Sequence, residues 1–329
     1  MPWQDIKGQD VIVEYLHRSV QNGRLAHALL FTGPEGVGKR ATALQLAQAL
    51  NCPESENGDA CGRCRSCRNI AAGAHPDVQV LEPDGQTLKI DQIRERLQRD
   101  AVLKPMEGRA KVYILDPADA LTVQAENSLL KILEEPPPDV TVVLITSQPY
   151  ALLDTVRSRC QELRFHALVP EILGAWLQAR TGCTDQTARA VAMLADGRPA
   201  RALRLLDEEQ QALRARVLSA AQAAEERDWF QAAQGVAQDF ADLSEVVDVW
   251  LTWYRDLVIL SHGAPAELLF NADRVADLQS ALARESRESA LDKYQAVLAA
   301  ATRLGQNVNP QLVLEVLMLH LSRPAGSAA

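Results

Sequence analysis

The sequence predicts an α/β fold over its first half and an all-helical architecture over the rest. Three observations carry that reading. Short apolar runs at 28–32, 77–81, 111–116, 140–146 and 162–165 alternate with helical spacing, the pattern of a mainly parallel sheet covered on both faces. The first run leads straight into a glycine-rich turn, Gly33-Pro34-Glu35-Gly36-Val37-Gly38-Lys39. From Pro170 onward no strand pattern returns, and a composition rich in Ala and Leu with only 5% aromatics favours helix.

With 329 residues and 47% hydrophobic content, the chain can bury the cores of two or three domains. No apolar run approaches membrane-spanning length, and Met1-Pro2-Trp3-Gln4-Asp5 has neither the basic start nor the apolar core of a secretory signal. A cytoplasmic location is therefore expected, without membrane partners. The net charge of −9 is unevenly placed: residues 207–329 hold 10 Lys/Arg against 18 Asp/Glu, or −8, leaving −1 for the first 206. Nucleic acid is not expected to touch that acidic last third.

Taken in order, residues 3–24 read as a helix with Val11, Tyr15, Leu16 and Val20 inward, followed by the loop Asn22-Gly23. Ala28-Leu29-Leu30-Phe31-Thr32 is the first buried strand. Gly33, Gly36, Gly38 and Lys39 then fit G-x-x-x-x-G-K-[ST], in which backbone N–H groups close on phosphate oxygens and the lysine neutralises their charge. The last position is Arg40. Its hydroxyl counterpart normally binds magnesium, so the loop keeps what holds a nucleotide and lacks part of what hydrolyses it. A helix should follow, with Ala41, Leu44, Ala47 and Leu50 at helical spacing and its N-terminus toward the phosphates.

Cys52, Cys61, Cys64 and Cys67 come next, spaced C-x8-C-x2-C-x2-C with Pro53, Gly58 and Gly62 favouring turns. Four thiolates gathered by turns match a closed, structural zinc site. A [4Fe–4S] cluster uses similar spacing, and four free thiols are the remaining alternative. Cys160 and Cys183, far from this cluster, are expected to be packed.

Asp77 to Leu81 reads as a strand, and Ile90-Asp91-Gln92-Ile93 opens a helix with Asp91 as its cap and Ile93 and Leu97 inward. Pro105 to Gly108 breaks the chain before the strand Lys111 to Asp116, whose terminal carboxylate has the place of a magnesium-orienting acid. Pro117 follows, and proline cannot act as a base. Ala120 to Glu135 is a helix with Leu129, Leu130 and Leu133 at core spacing, stopped by Pro136-Pro137-Pro138. Val140 to Thr146 is another buried strand. Ligands of parallel sheets bind at the carboxyl ends of strands, where Gly33, Asp116 and Thr146 all fall. A helical segment, Leu152 to Val156, leads to Arg157-Ser158-Arg159-Cys160 and the strand Glu162 to Phe165. Residues 170–206 suit a small helical unit and 207–329 a longer helical bundle, with Trp250 and Trp253 in its core and Leu312, Val313, Val316, Leu317 and Leu321 along its last helix. The tail Pro324 to Ala329 should be frayed.

Several stretches together resemble one family. They are Arg24-Leu25-Ala26-His27-Ala28, the four cysteines, Ile90-Asp91-Gln92-Ile93-Arg94, the run Ala125-Glu126-Asn127-Ser128-Leu129-Leu130-Lys131-Ile132-Leu133-Glu134-Glu135-Pro136-Pro137, Ser158-Arg159-Cys160, and Asn309-Pro310. The chain is similar to the AAA+ clamp-loader family of bacterial DNA polymerase III, its delta-prime subunits in particular. That resemblance implies an AAA+ nucleotide-fold domain at 1–166 with an inserted zinc module at about 52–67, a helical lid at 167–206 and a helical collar at 207–329. It implies a place beside gamma/tau motor subunits and a delta subunit in a five-subunit ring that loads the sliding clamp onto primed DNA.

Departures from the motor subunits favour a non-hydrolysing stator over the alternative, an active gamma/tau-like ATPase. Arg40 replaces the magnesium-binding hydroxyl, and Pro117 replaces the glutamate that polarises water in working members. Ala200 stands where the motors' lid carries a phosphate-sensing arginine. The resemblance thus implies a subunit of the polymerase holoenzyme with no polymerase site and little or no ATPase of its own. ATP or ADP would be held weakly, with poorly bound magnesium, by Gly33, Gly36, Gly38, Lys39, Asp116 and Thr146. Arg159 would act in trans, as an arginine finger on a neighbour's nucleotide.

Overall fold

The computed structural model describes residues 3–85, 87–207, 211–219, 229–240, 243–265, 268–304, 306 and 308–322. The chain divides into two compact units, Met1–Trp176 with Gly197–Ala200, and Leu177–Asp196 with Arg201–Ala329.

The first unit is built on a parallel sheet of five strands: β1 (Ala28–Thr32), β2 (Val78–Leu81), β3 (Lys111–Leu115), β4 (Val140–Thr146) and β5 (Gln161–Arg164), in the order β2-β3-β4-β1-β5. Every residue of β1, β3 and β4 is buried, as near-continuous apolar runs in a sheet covered on both faces require. Alternation then divides the strands between two cores. Leu30, Tyr113, Leu115, Val142 and Leu144 face one side; Leu29, Phe31, Val112, Ile114, Val143 and Ile145 face the other.

The first face is covered by α4 (Ile90–Ile93), a π-helical stretch Arg94–Gln98, α5 (Arg99–Ala101) and α6 (Val123–Glu134), through Ile93, Leu97, Ala125, Leu129 and Leu133. Asp91 is not the cap of α4. Lys89 takes that place, and its N–H donates to Gln92 Oε1 at 3.0 Å. Helix α6 starts later than the apolar spacing suggests because Thr122 caps it, its hydroxyl accepting from the Ala125 N–H at 3.3 Å.

The second face carries α1 (Asp10–Gln21), α2 (Lys39–Asn51) and α3 (Arg65–Ala71). In α1 the inward side is Ile12 and Leu16, whereas Val11, expected inside, is 82% exposed. The apolar arc of α2 is likewise not the expected one. Ala43, Leu46, Ala47 and Ala49 are buried with the polar Thr42, Gln45, Gln48 and Asn51, while Ala41, Leu44 and Leu50 are half-buried. A helix packed on more than one side has no single apolar stripe. Gln48 Nε2 donates to the Cys67 carbonyl at 2.9 Å, so one of those buried polar groups ties α2 to the cysteine segment.

The second unit holds the helix Asp185–Leu194, helical residues 211–219, and the helices Trp229–Asp239, Leu243–Ser261, Val275–Leu282, Arg287–Leu304 and Pro310–Leu321. Among the described residues no strand follows Arg164. Trp250 and Trp253 lie in its core, and the Trp250 indole donates to the Val217 carbonyl at 3.0 Å. In the last helix Val313, Leu317 and Leu321 are buried, but Leu312 is exposed and Leu314 and Met318 take the inward places. The tail 324–329 lies outside the described residues. No helix of the described chain is long and apolar enough to cross a membrane.

Candidate nucleotide-binding loop and candidate metal centre

The carboxyl ends of β1 and β4 are level, since Thr32 pairs with Thr146, and β3 ends slightly short of them, with Leu115 opposite Leu144. The residues that follow therefore gather along one edge. Gly33 leaves β1 at φ +131°, and a Cβ there would lie 2.2 Å from the Phe165 carbonyl oxygen, so only glycine fits. Gly38 caps α2 at φ +105° with open space around it. Lys39, the first residue of α2, is 6% exposed, and its ammonium donates to the carbonyl oxygens of Gly33 at 2.5 Å and Pro34 at 2.7 Å. Burial lowers its pKa, against the attraction of Asp116, Glu35 and Asp119. The loop's outer turn is also fixed, because the Ala200 N–H donates to the Gly36 carbonyl at 3.1 Å.

Asp116 follows β3. Burial pushes its carboxyl above the ordinary range, opposed first by Arg40 and then by Lys39. Arg40 Nη1 sits 3.5 Å from Asp116 Oδ2 and bonds to Glu82 Oε1. Thr146, at the end of β4, donates its hydroxyl to Asp119 Oδ1 at 2.5 Å and accepts from the Gln148 N–H at 2.8 Å. Glu82 and Asp119, not among the residues expected here, contact Arg40 and Thr146 respectively. Both lie just past the carboxyl end of a strand, and that rule alone could have found them.

Arg159 takes its partners elsewhere in the same unit. It lies just after α7 (Asp154–Arg157), where Nη2 pairs with Glu134 Oε1 at 2.7 Å and Nη1 donates to the Thr155 carbonyl at 2.9 Å.

The four cysteine sulfurs at 52, 61, 64 and 67 all lie within 4.8 Å of one another. A tetrahedral ion with Zn–S bonds of about 2.3 Å would space its sulfurs about 3.8 Å apart, so the cluster fits one ion. A [4Fe–4S] cube, which puts each cysteine on a different iron, spreads its sulfurs more widely. Backbone N–H groups already point at the sulfurs: Cys61 toward Cys52 Sγ at 3.4 Å, Cys64 toward Cys61 Sγ at 3.3 Å, and Cys67 toward Cys64 Sγ at 3.4 Å. Such donors favour thiolate. The Arg63 N–H foremost brings the Cys61 thiol down to about 7, whereas burial pushes Cys52 and Cys67 up, a cost that a bound cation would offset. Cys160, half-buried against the core, has its thiol raised to about 12 by burial. Cys183, expected to be packed, is only half-buried.

Residues 8–169 match the family model described as DNA polymerase III, delta subunit, and residues 208–323 match that described as DNA polymerase III, delta subunit, C terminal. The chain is 34% identical over 327 residues to DNA polymerase III subunit delta' of Bacillus subtilis (strain 168), covering 97% of this chain and 98% of that one. Over 137 residues it is 45% identical to subunit delta' of Pseudomonas aeruginosa, with 41% and 42% covered. It is 29% identical over 356 residues to subunit gamma/tau of Mycobacterium tuberculosis (strain H37Rv), covering 99% of this chain but 61% of that relative.

Proposed function

The chain belongs to the delta-prime family of DNA polymerase III clamp-loader subunits, and from that premise we propose that it is the loader's stator. It assembles with gamma/tau and delta subunits into a five-subunit ring that places the sliding clamp on primed DNA, and it hydrolyses no ATP by itself. The observation that carries this reading is the contact of Arg40 with Asp116, because the two positions that would jointly hold magnesium are paired with each other instead. Pro117 offers no base and Ala200 no phosphate-sensing cation. Loss of three such groups removes most of what phosphoryl transfer uses.

In this reading residues 1–166 form the AAA+ domain, 167–206 the lid and 207–329 the collar that joins the subunits, in the cytoplasm. Cys52, Cys61, Cys64 and Cys67 hold one zinc ion, which is structural because four thiolates leave no position for water. Gly33, Gly36, Gly38, Lys39, Asp116 and Thr146 form a weak site for ATP or ADP. Arg159 supplies charge to the γ-phosphate held by an adjacent motor subunit.

Gel filtration of this chain mixed with gamma/tau and delta tests the assembly, the expected result being one defined five-subunit complex. ATP hydrolysis by the isolated chain, abolished by Lys39→Ala, would instead make it a motor.

A further inference from the structure

The residue that breaks the phosphate-loop pattern also stands where the pattern places a metal. In such loops the hydroxyl after the lysine and the carboxylate after β3 are the protein groups that face magnesium. Here Arg40 fills the first position, with its guanidinium 3.5 Å from Asp116 Oδ2 and bonded to Glu82 Oε1. The cation that these two carboxylates attract is part of the chain.

Magnesium does not fit beside it. The ion needs oxygen ligands in near-octahedral array, and guanidinium offers no acceptor atom. To reach Asp116 it would have to displace Arg40 and then sit against a like charge. The groups that hold phosphate are present, however: the positive-φ glycines, and Lys39 at the N-terminus of α2. Arg40 is 45% exposed along its side chain, so it can turn from Asp116 toward a phosphate without unpacking the core. Its planar fork suits two phosphate oxygens at once.

We propose that this loop binds a nucleoside di- or triphosphate as the free anion, without magnesium, and that Arg40 is the built-in counter-ion. The proposal rests on the reading of the loop as a nucleotide site and adds the ionic form of its ligand.

Calorimetry of the full chain with ADP and with ATP, in buffer free of divalent ions and again with magnesium, tests it. The wild-type Kd should stay within about threefold on adding magnesium, or weaken. Arg40→Ser removes the guanidinium and restores a hydroxyl beside Asp116; it should bind more weakly without the metal and gain about tenfold or more with it. Arg40→Lys keeps the charge but not the fork; it should bind somewhat more weakly than wild type and still gain nothing from magnesium, which keeps the test open should the serine variant misfold by circular dichroism. A wild-type affinity that rises about tenfold with magnesium overturns the proposal and leaves the nucleotide reading standing. Absence of binding by either nucleotide in both buffers overturns the nucleotide reading and the proposal with it.

Discussion

Arg159 Nη2 donates to Glu134 Oε1 at 2.7 Å, joining the residue that follows α7 to the last residue of α6. The side chain remains 37% exposed, so it is held in one direction without being buried. An exposed pair of this kind adds little to stability. Arg159→Ala should leave the assembled complex intact and lower its clamp- and DNA-stimulated ATPase by about one to several powers of ten at the affected site. Glu134→Gln keeps the arginine and should cost less. A complex with full ATPase after Arg159→Ala would refute a role in trans.

Elemental analysis should find about one zinc per chain. Cys67→Ser should lose it and raise amide exchange across 52–67, with β1 and β4 still protected, because those strands are held by cores on both faces of the sheet. Iron in place of zinc would assign the site to a cluster, and a chain free of metal would leave four thiols.

Asp77 accepts from the N–H groups of Met106 at 2.7 Å, Glu107 at 2.8 Å and Gly108 at 2.7 Å. Burial alone would raise its pKa, but these donors outweigh it and hold the carboxyl below its ordinary range. A depressed folded-state pKa gives stability that is present above the unfolded value, about 3.9, and fades as pH falls through the folded one. Asp77→Ala should therefore cost about 3 kcal/mol or more at neutral pH, since it strands several N–H groups. Urea unfolding should show this penalty shrinking below about pH 4.

Gly33→Ala should displace the start of the loop from β5, because the added Cβ meets the Phe165 carbonyl, part of a fixed backbone. The expected loss is at least about 1–3 kcal/mol from the strained φ alone, with nucleotide affinity falling alongside. Thermal unfolding and calorimetry of the same variant check both. An unchanged melting temperature would contradict the assigned backbone path.

Much of this molecule was legible in its residues. The buried strands could be read because in a sheet covered on both faces nearly every position of a central strand is apolar, and such runs stand out without any knowledge of neighbours. The glycine-rich loop after β1 and the gathering of the four cysteines were legible for a related reason: each is a local run of particular residues at short, fixed spacing. Proline and glycine marked where helices stop, although Thr122 and Lys89 moved two helix starts by capping them.

What the residues alone left open are relations between distant segments. The sequence determined that Arg40 breaks the loop pattern, that Pro117 is no base and that four cysteines share one stretch. Only the tertiary structure decided that Arg40 meets Asp116 and Glu82, that Glu134 orients Arg159, that Val11 points outward, and that α2 buries polar Gln48 and Asn51. The reason is physical. Strand and helix periodicity specify which side of an element is apolar, whereas ion pairs and buried amides depend on which elements the β2-β3-β4-β1-β5 order makes neighbours, and that order is set by packing across the whole sheet.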